Sequence, residues 1–256
     1  MNHLPLAAAL YLLFLAFVCG ACAGSFVNCA ALRHVTGEKF SRGRSHCPKC
    51  GHVLGVLDLF PIVSWVFLRG KCRYCGAEVS KRYPFTEVLS ALAWVTTAAV
   101  FGLSFKTLQL CLLFSILLAV ALIDLDTLEI PNGLLLGGLL LWLIGLIFDR
   151  SGWLSGLLSG LAIGGALLVI SLVMDKVLGR ESMGGGDIKL FALLGLFTGP
   201  WIGLLLVILS CLTGLVFAWM KRSNGDPFPF GPAIALAAWP ALLIGPQVVS
   251  WYLGLF

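Results

Sequence analysis

Long apolar stretches separated by short polar ones dominate this chain. The apolar stretches cover about residues 4–23, 86–103, 107–124, 132–148, 153–174, 188–199, 201–220 and 233–254. Most of them approach the length of about 20 residues that an α-helix needs to cross a bilayer. The pattern therefore predicts an all-α polytopic membrane protein with about eight transmembrane helices. The sixth stretch, at about 12 residues, is short enough to form a re-entrant helix instead.

The same pattern divides the chain into three regions. Residues 1–31 hold the first transmembrane helix, residues 32–85 form a small soluble loop, and residues 86–256 form a membrane-embedded helical body. The first helix is expected to be retained, because Met1–Pro5 lacks the basic stretch that opens a cleaved signal peptide. No internal repeat is evident in the three regions.

Composition supports the membrane class, and charge gives the orientation. Of the 256 residues, 59% are hydrophobic and 11% are charged, which excludes an ordinary soluble domain. If the first helix ends in the cytoplasm, only Lys106 and Arg150 of the 17 Lys and Arg residues fall outside. The cytoplasmic set is Arg33, Lys39, Arg42, Arg44, Lys49, Arg69, Lys71, Arg73, Lys81, Arg82, Lys176, Arg180, Lys189, Lys221 and Arg222. Anionic lipid headgroups suit the net charge of +5, and no nucleic acid is needed to explain it.

Two Cys-x-x-Cys pairs in the soluble loop predict a metal site. They are Cys47-Pro-Lys-Cys50-Gly and Cys72-Arg-Tyr-Cys75-Gly. Four thiolates in this arrangement suit tetrahedral Zn²⁺, and with every position filled its role would be structural. The alternative is two disulfides, which the reducing cytoplasm disfavours. His46 and His52 flank the first pair, and either of them would be an alternative ligand.

Asp124 and Asp187 stand where apolar stretches meet polar ones. An ionisable group at membrane depth costs about 2.5–3.5 kcal/mol, so such residues usually mark functional sites. Two neighbouring carboxyl groups can share one proton near neutral pH, and the pair can then activate water and polarise a carbonyl. Gly184–Gly186 before Asp187 leave room for an extended peptide backbone. Asp126 gives an acidic alternative partner, and a solvated helix end is the alternative for Asp124 alone.

The order and spacing of several motifs resemble those of the bacterial type IV prepilin peptidases, a family of GxGD-type membrane aspartyl proteases. Besides the two cysteine pairs, the motifs are Gly24-Ser-Phe-Val-Asn28, Lys81-Arg-Tyr-Pro-Phe-Thr-Glu87, Ile123-Asp124, Ile130-Pro131-Asn132, Gly184-Gly-Gly186-Asp187-Ile-Lys189 and Pro229-Phe-Gly-Pro232. The resemblance implies that Asp124 and Asp187 are the catalytic pair and that residues 86–256 form the peptidase domain. Gly184, Gly186, Lys189 and Asp126 are then expected to support the substrate and the active site.

The resemblance also implies substrates, a second activity and a location. The substrates would be prepilins and pseudopilins, whose short basic leader is cut at the cytoplasmic face of the bacterial inner membrane. Family members with the cysteine-bearing loop often also methylate the new N-terminal residue with S-adenosylmethionine. The polar candidates near that loop are Asn28, Arg33, Arg82 and Glu87. Asp126 and Glu129 are expected to lie in the cytoplasmic loop before Pro131, and one of them is expected to meet the basic leader.

Two functions from other classes compete with this interpretation. An ion or proton transporter would also use intramembrane acids, although its site would be expected near the middle of the bilayer. A membrane scaffold would dock partners through the zinc loop, and the aspartates would then be incidental. Replacing each aspartate by asparagine separates the three hypotheses, because only the peptidase loses turnover in both variants.

Overall fold

The computed structural model describes residues 5–38, 43–221 and 228–255, and its elements are helical. The α-helices are α1 (Leu6–Val35), α2 (Val63–Phe67), α3 (Arg82–Phe101), α4 (Phe105–Thr127), α5 (Asn132–Phe148), α6 (Trp153–Leu178), α7 (Gly185–Lys221) and α8 (Gly231–Leu253), with a 3₁₀ turn at Val56–Asp58. Six of them are long and apolar enough to cross a membrane, and α5 is a shorter apolar helix. The all-α prediction is confirmed. Of the cations used for the orientation, Lys39, Arg42 and Arg222 lie outside the described residues.

The long helix α7 folds back on itself at Gly199. This residue has φ 71° and ψ 177°, outside the helical region, and the next residue, Pro200, has no N–H to continue the ladder. The rings of Phe191 and Phe230 lie 6.1 Å apart, while a Cβ on Gly214 would also meet the Phe230 ring. A straight helix would separate residues 191 and 214 by about 35 Å. The two halves of α7 therefore run antiparallel.

The reversal accounts for the eight predicted segments. The short sixth stretch is the first half of α7, residues 185–198, and the seventh stretch is the second half, residues 200–221. The first half spans only about 21 Å, because an α-helix rises about 1.5 Å per residue. A hydrocarbon core is about 30 Å thick. The first half of α7 is thus shorter than a full crossing.

The chain divides into two compact units, residues 1–119 and residues 120–256, with the boundary inside α4. In the first unit α1 packs on α3, and in the second unit α7 packs on α6 and α8. Close approach depends on glycine, since a Cβ on Gly24 would lie 2.7 Å from the Ser90 Cβ. A Cβ on Gly195 would likewise lie 2.7 Å from the Gly160 Cα. Small residues at such contacts let membrane helices gain van der Waals packing that lipid cannot supply.

Candidate active site and metal centre

A cavity of about 270 Å³ in the second unit collects the predicted acidic residues. It lies at the end of α4 and the beginnings of α5 and α7. Its lining comprises Asp124, Leu128, Glu129, Ile130, Asn132, Gly184, Gly185, Gly186, Asp187 and Lys189. The structure therefore brings together both predicted catalytic aspartates and three of the four predicted supporting residues. The fourth, Asp126, is exposed and does not line the cavity.

Asp124 is buried in the last turns of α4 and is held by the start of α8. Its side chain is 5% exposed. The backbone N–H of Gly231 donates a hydrogen bond of 2.7 Å to Oδ2 of Asp124. A Cβ on Gly231 would lie 2.8 Å from that oxygen and 3.2 Å from the Asp124 Cβ and Cγ, so glycine alone fits without displacement. The motif Pro229-Phe-Gly-Pro232 did not by itself indicate this contact.

The chain turns sharply after α4. Leu128 has φ 58° and its N–H donates to the Asp124 carbonyl oxygen at 2.9 Å, which ends the helix in a left-handed residue. Glu129 comes directly after this turn and lines the cavity. Asp126 lies within α4 rather than in the loop where the sequence placed it. Of the two acids expected to meet a basic leader, only Glu129 faces the cavity.

Asp187 lies in the first turn of α7, and the glycines before it have different roles. A Cβ on Gly184 would lie 3.1 Å from Oδ2 of Asp187, and a Cβ on Gly186 would lie 3.0 Å from the Ile130 Cβ. Apart from the adjacent residues and the backbone of its own helix, no described atom would lie within 4 Å of a Cβ on Gly185. The outer two positions are therefore crowded, Gly184 by the Asp187 carboxylate and Gly186 by Ile130, whereas the middle position is open. The carboxyl groups of Asp187 and Asp124 are close enough to interact electrostatically.

Two further polar contacts order the cavity and the loop that leads to it. Lys189 Nζ donates to Oδ1 of Asn132 at 3.1 Å and so joins the starts of α7 and α5. Asp175, near the end of α6, accepts the Ser182 N–H at 2.6 Å through Oδ1. Asp175 was missed in the sequence, although it directly follows an apolar stretch just as Asp124 ends one. This contact fixes the polar loop that precedes Gly184.

The four predicted metal ligands meet in the first unit. Their Sγ atoms all lie within 4.8 Å of one another, and no histidine joins them in the part of the chain that the structure describes. Sγ of Cys47 and Sγ of Cys75 are 3.9 Å apart. A tetrahedron with ligand bonds of about 2.3 Å has edges of about 3.8 Å, so the thiols fit Zn²⁺. All nine cysteines are free thiols, and the disulfide alternative is not adopted.

The two Cys-x-x-Cys turns repeat one local structure. In each turn the glycine after the second cysteine has φ near 70° and donates its N–H to the carbonyl of the first cysteine. The bridges His46–Val53 and Lys71–Glu78 close the two turns at equivalent positions. The loop therefore holds two copies of one short turn, each built around a cysteine pair. Backbone N–H groups of Cys50 and Lys49 lower the pKa of the Cys47 thiol to about 6, which favours a metal-binding thiolate.

Asp58 ties the 3₁₀ turn to the second cysteine turn. Its Oδ1 accepts a hydrogen bond of 2.6 Å from Nε of Arg73, and its Oδ2 accepts one of 2.9 Å from the Tyr74 hydroxyl. Burial acts to raise the pKa of Asp58, but the hydrogen bonds from Arg73, Gly55 and Tyr74 hold it below its ordinary value. The carboxylate therefore stays charged at neutral pH and stabilises the fold of the loop.

The four polar residues predicted near the loop all make hydrogen bonds within the first unit. Oδ1 of Asn28 accepts a hydrogen bond of 3.1 Å from Nε of Arg82, and the Glu87 carboxylate accepts the Ile62 N–H at 2.6 Å. Arg33 donates to the Gly43 carbonyl at 3.2 Å. Asn28 is fully buried, and its Nδ2 has no hydrogen-bond partner among the described residues.

Comparisons with known proteins agree with this geometry. A family model described as the bacterial peptidase A24 N-terminal domain matches residues 18–101, and one described as the type IV leader peptidase family matches residues 111–219. A prepilin leader peptidase/N-methyltransferase of Aeromonas hydrophila is 40% identical over 222 residues, which are 82% of this chain and 74% of the relative. Proteins of that name from Bacillus subtilis (strain 168) and Pseudomonas putida are 32% and 35% identical. Both alignments cover 94% of this chain, with 98% and 93% of the respective relatives. No solved structure matches the chain.

Proposed function

This chain belongs to the type IV leader peptidase family, and from that membership we propose that it removes the basic leader from type IV prepilins and pseudopilins. One observation carries the proposal, which is that the carboxyl groups of Asp124 and Asp187 line one cavity at the ends of apolar helices. A substrate whose apolar segment lies in the bilayer presents its scissile bond at the same level. The reaction is hydrolysis of a peptide bond by a pair of aspartates.

In the proposed mechanism Asp124 carries the negative charge and Asp187 carries the shared proton. The Gly231 N–H and the positive end of α8 favour an anionic carboxylate at Asp124. Asp124 takes a proton from water, the water oxygen attacks the scissile carbonyl carbon, and Asp187 gives its proton to the carbonyl oxygen. When the tetrahedral intermediate collapses, a diol proton returns to Asp187 and Asp124 protonates the leaving nitrogen. Both side chains then regain their starting states.

Glu129 is the proposed contact for the basic leader. It lines the cavity within a few residues of Asp124, so a leader that reaches the aspartates also passes Glu129. Opposite charges at such a contact favour correct register more than affinity. Lys189 and Asn132 close the same cavity and would orient the peptide through their polar ends. Asp126 is the weaker candidate for leader binding because it lies off the cavity.

The cavity is proposed to face the cytoplasm from the bacterial inner membrane. In the second unit Lys176, Arg180 and Lys189 lie at the end that carries the aspartates, whereas Arg150 lies between the far ends of α5 and α6. Positive residues concentrate on the cytoplasmic side of membrane proteins. Residues 1–31, 32–85 and 86–256 would then act as anchor, metal-binding loop and peptidase domain.

A second activity is proposed in the first unit, namely N-methylation of the new N-terminal residue with S-adenosylmethionine. Two buried polar groups of this unit would meet such a cofactor. Nδ2 of Asn28 has no hydrogen-bond partner among the described residues, and the carboxylate of Glu87 is an acceptor that already holds the Ile62 N–H. Bound there, the cofactor would supply the methyl group. Zn²⁺ held by the four cysteines would serve structure alone, since no coordination position stays open.

Cleavage of a synthetic prepilin-type peptide tests the peptidase. The peptide joins a basic leader to an apolar segment at Gly-Phe, and purified protein in lipid nanodiscs is compared with Asp124→Asn and Asp187→Asn. Glu181→Gln provides a matched control, because Glu181 precedes the same glycines but does not line the cavity. Loss of cleavage in both aspartate variants and not in the control supports the proposal. Equal cleavage by wild type and either aspartate variant would contradict it.

A further inference from the structure

The loop between the two cysteine turns exposes an unusual amount of apolar surface. Residues 56–67, here called the apolar segment, comprise the 3₁₀ turn, α2 and the residues between them. Its exposed side chains are Val56, Leu57, Leu59, Phe60, Val63, Val66 and Phe67. Val56 is 77% exposed and Phe67 is 83% exposed. Contiguous apolar surface of this kind on a polar domain marks an interaction site.

A strained turn fastens the apolar segment to a membrane helix. Ile62 has φ 64° and ψ −52°, and the Val63 N–H donates to the Pro61 carbonyl at 2.6 Å. This is a γ-turn of the rare positive-φ form, which costs free energy and persists only when neighbouring contacts hold it. The contact here is the hydrogen bond of 2.6 Å from the Ile62 N–H to Oε2 of Glu87. Glu87 lies in the second turn of α3, so the segment is held at the end of an apolar span.

The charged residues around the apolar segment favour its contact with a lipid surface rather than its exposure to water. Its single acid, Asp58, is paired with Arg73, and the side chain is only 6% exposed. Arg69 and Lys71 follow the segment directly and are exposed. On α3, Phe85 lies two residues before Glu87 and is 67% exposed, so the helix surface at this level is apolar too. Apolar side chains flanked by cations are typical of elements that lie in the headgroup region of anionic membranes.

We propose that the apolar segment inserts into the boundary between headgroups and acyl chains of the bilayer that α3 crosses. Phe60, Val66 and Phe67 enter the apolar side of this boundary, and Arg69 and Lys71 contact anionic phosphates. The hydrogen bond between Ile62 and Glu87 sets the height of the segment. The metal-binding loop is therefore seated on the membrane at a third point, besides its connections to α1 and α3. The surface is fitted to an anionic phospholipid rather than to a protein.

Site-specific photocrosslinking tests the insertion. Benzoylphenylalanine replaces Phe67 in the full chain, loaded with zinc, in nanodiscs of phosphatidylcholine and phosphatidylglycerol. Lipid adducts are measured by intact mass. The control carries the label in place of Lys49, which is exposed on the first cysteine turn. We expect at least about fivefold more lipid adduct at position 67 than at position 49, because only the former reaches the acyl region.

The distribution of adducts in the same experiment can also contradict the insertion. Equal lipid adducts at both positions, or adducts at position 67 to protein in place of lipid, would sink it. Zinc content verifies that each labelled chain is folded, and a label in place of Leu57 gives an independent measurement if the first chain loses zinc. Glu87→Ala should lower the adduct at position 67 at least about threefold, whereas Glu87→Gln keeps an acceptor for Ile62 and should not. Peptide cleavage plays no part, so the outcome is independent of the proposed peptidase activity.

Discussion

Replacing Gly231 by alanine should disable the candidate active site without touching either aspartate. The added Cβ would lie 2.8 Å from Oδ2 of Asp124, and the Asp124 Cβ and Cγ would both be only 3.2 Å away. Rotation of the carboxyl group cannot relieve all three contacts. The group has to move by about 0.6 Å to reach an ordinary contact, which lengthens the bond of 2.7 Å from the Gly231 N–H to about 3.3 Å.

The expected loss of turnover follows from the free energy of the hydrogen bond between Gly231 and Asp124. A hydrogen bond to a charged group is worth about 1.5–3 kcal/mol. We assume that the bond keeps Asp124 ionised and in position for proton transfer. Its loss should then slow turnover about 10- to 150-fold, at about 1.36 kcal/mol for each factor of ten. The effect should appear mainly in kcat, because Gly231 does not line the cavity that takes the substrate.

Single-turnover cleavage of the peptide in nanodiscs measures this effect. Gly133→Ala is the matched control, because in the described part of the chain a Cβ there would meet no atom within 4 Å beyond its neighbours and its own helix backbone. Thermal unfolding of each variant distinguishes a local effect from global destabilisation. A folded Gly231→Ala enzyme that cleaves within about twofold of wild type would refute the reasoning, since the hydrogen bond to Asp124 would then have no part in the chemistry.

Three further outcomes are expected. Gly186→Ala should slow initial cleavage about tenfold, because its Cβ would lie 3.0 Å from the Ile130 Cβ and overpacking costs about 1–3 kcal/mol, whereas Gly185→Ala should slow it less. Asp58→Asn should speed zinc transfer to a competing chelator about tenfold at pH 7. Because the pKa of Asp58 is lowered in the fold, its stabilisation is complete above about pH 4 and is lost as the pH falls through the lowered pKa, so the difference from wild type should shrink in acid. Stripping zinc should make the metal-binding loop sensitive to limited proteolysis, and adding zinc back should restore its resistance. If the rate of proteolysis of the loop does not change with zinc, the loop is held without the metal.

The features that could be predicted from the sequence are those with a short-range pattern. Apolar stretch lengths identified the spans, the Cys-x-x-Cys spacing identified the four cysteines whose sulfur atoms meet, and the end of an apolar stretch marked Asp124, which lines the cavity. Even the break at Gly199 was visible as a gap between two apolar stretches. Each of these signals lies within about 30 residues of chain, where spacing alone constrains geometry.

Contacts between distant residues were beyond such patterns. The hydrogen bond from Gly231 to Asp124 joins residues 107 positions apart and depends on a missing side chain. Sequence also could not choose between Asp126 and Glu129, because the choice depends on the left-handed conformation of Leu128. A leucine with positive φ is uncommon and is stable only where tertiary packing imposes it. The γ-turn at Ile62 was invisible for the same reason.

Hydrolysis at membrane depth needs a supply of water, and the reversal of α7 at Gly199 bears on that supply. The first half of α7 covers about 21 Å of a core about 30 Å thick, so its two ends cannot both reach the bilayer surfaces. None of residues 190–198 in this half is exposed, and the cavity at its first turn would let polar headgroups and solvent descend toward the helix end. That end carries Asp187. The short helix would thus act as a local dent in the membrane, through which the reacting water arrives and the hydrophilic leader departs.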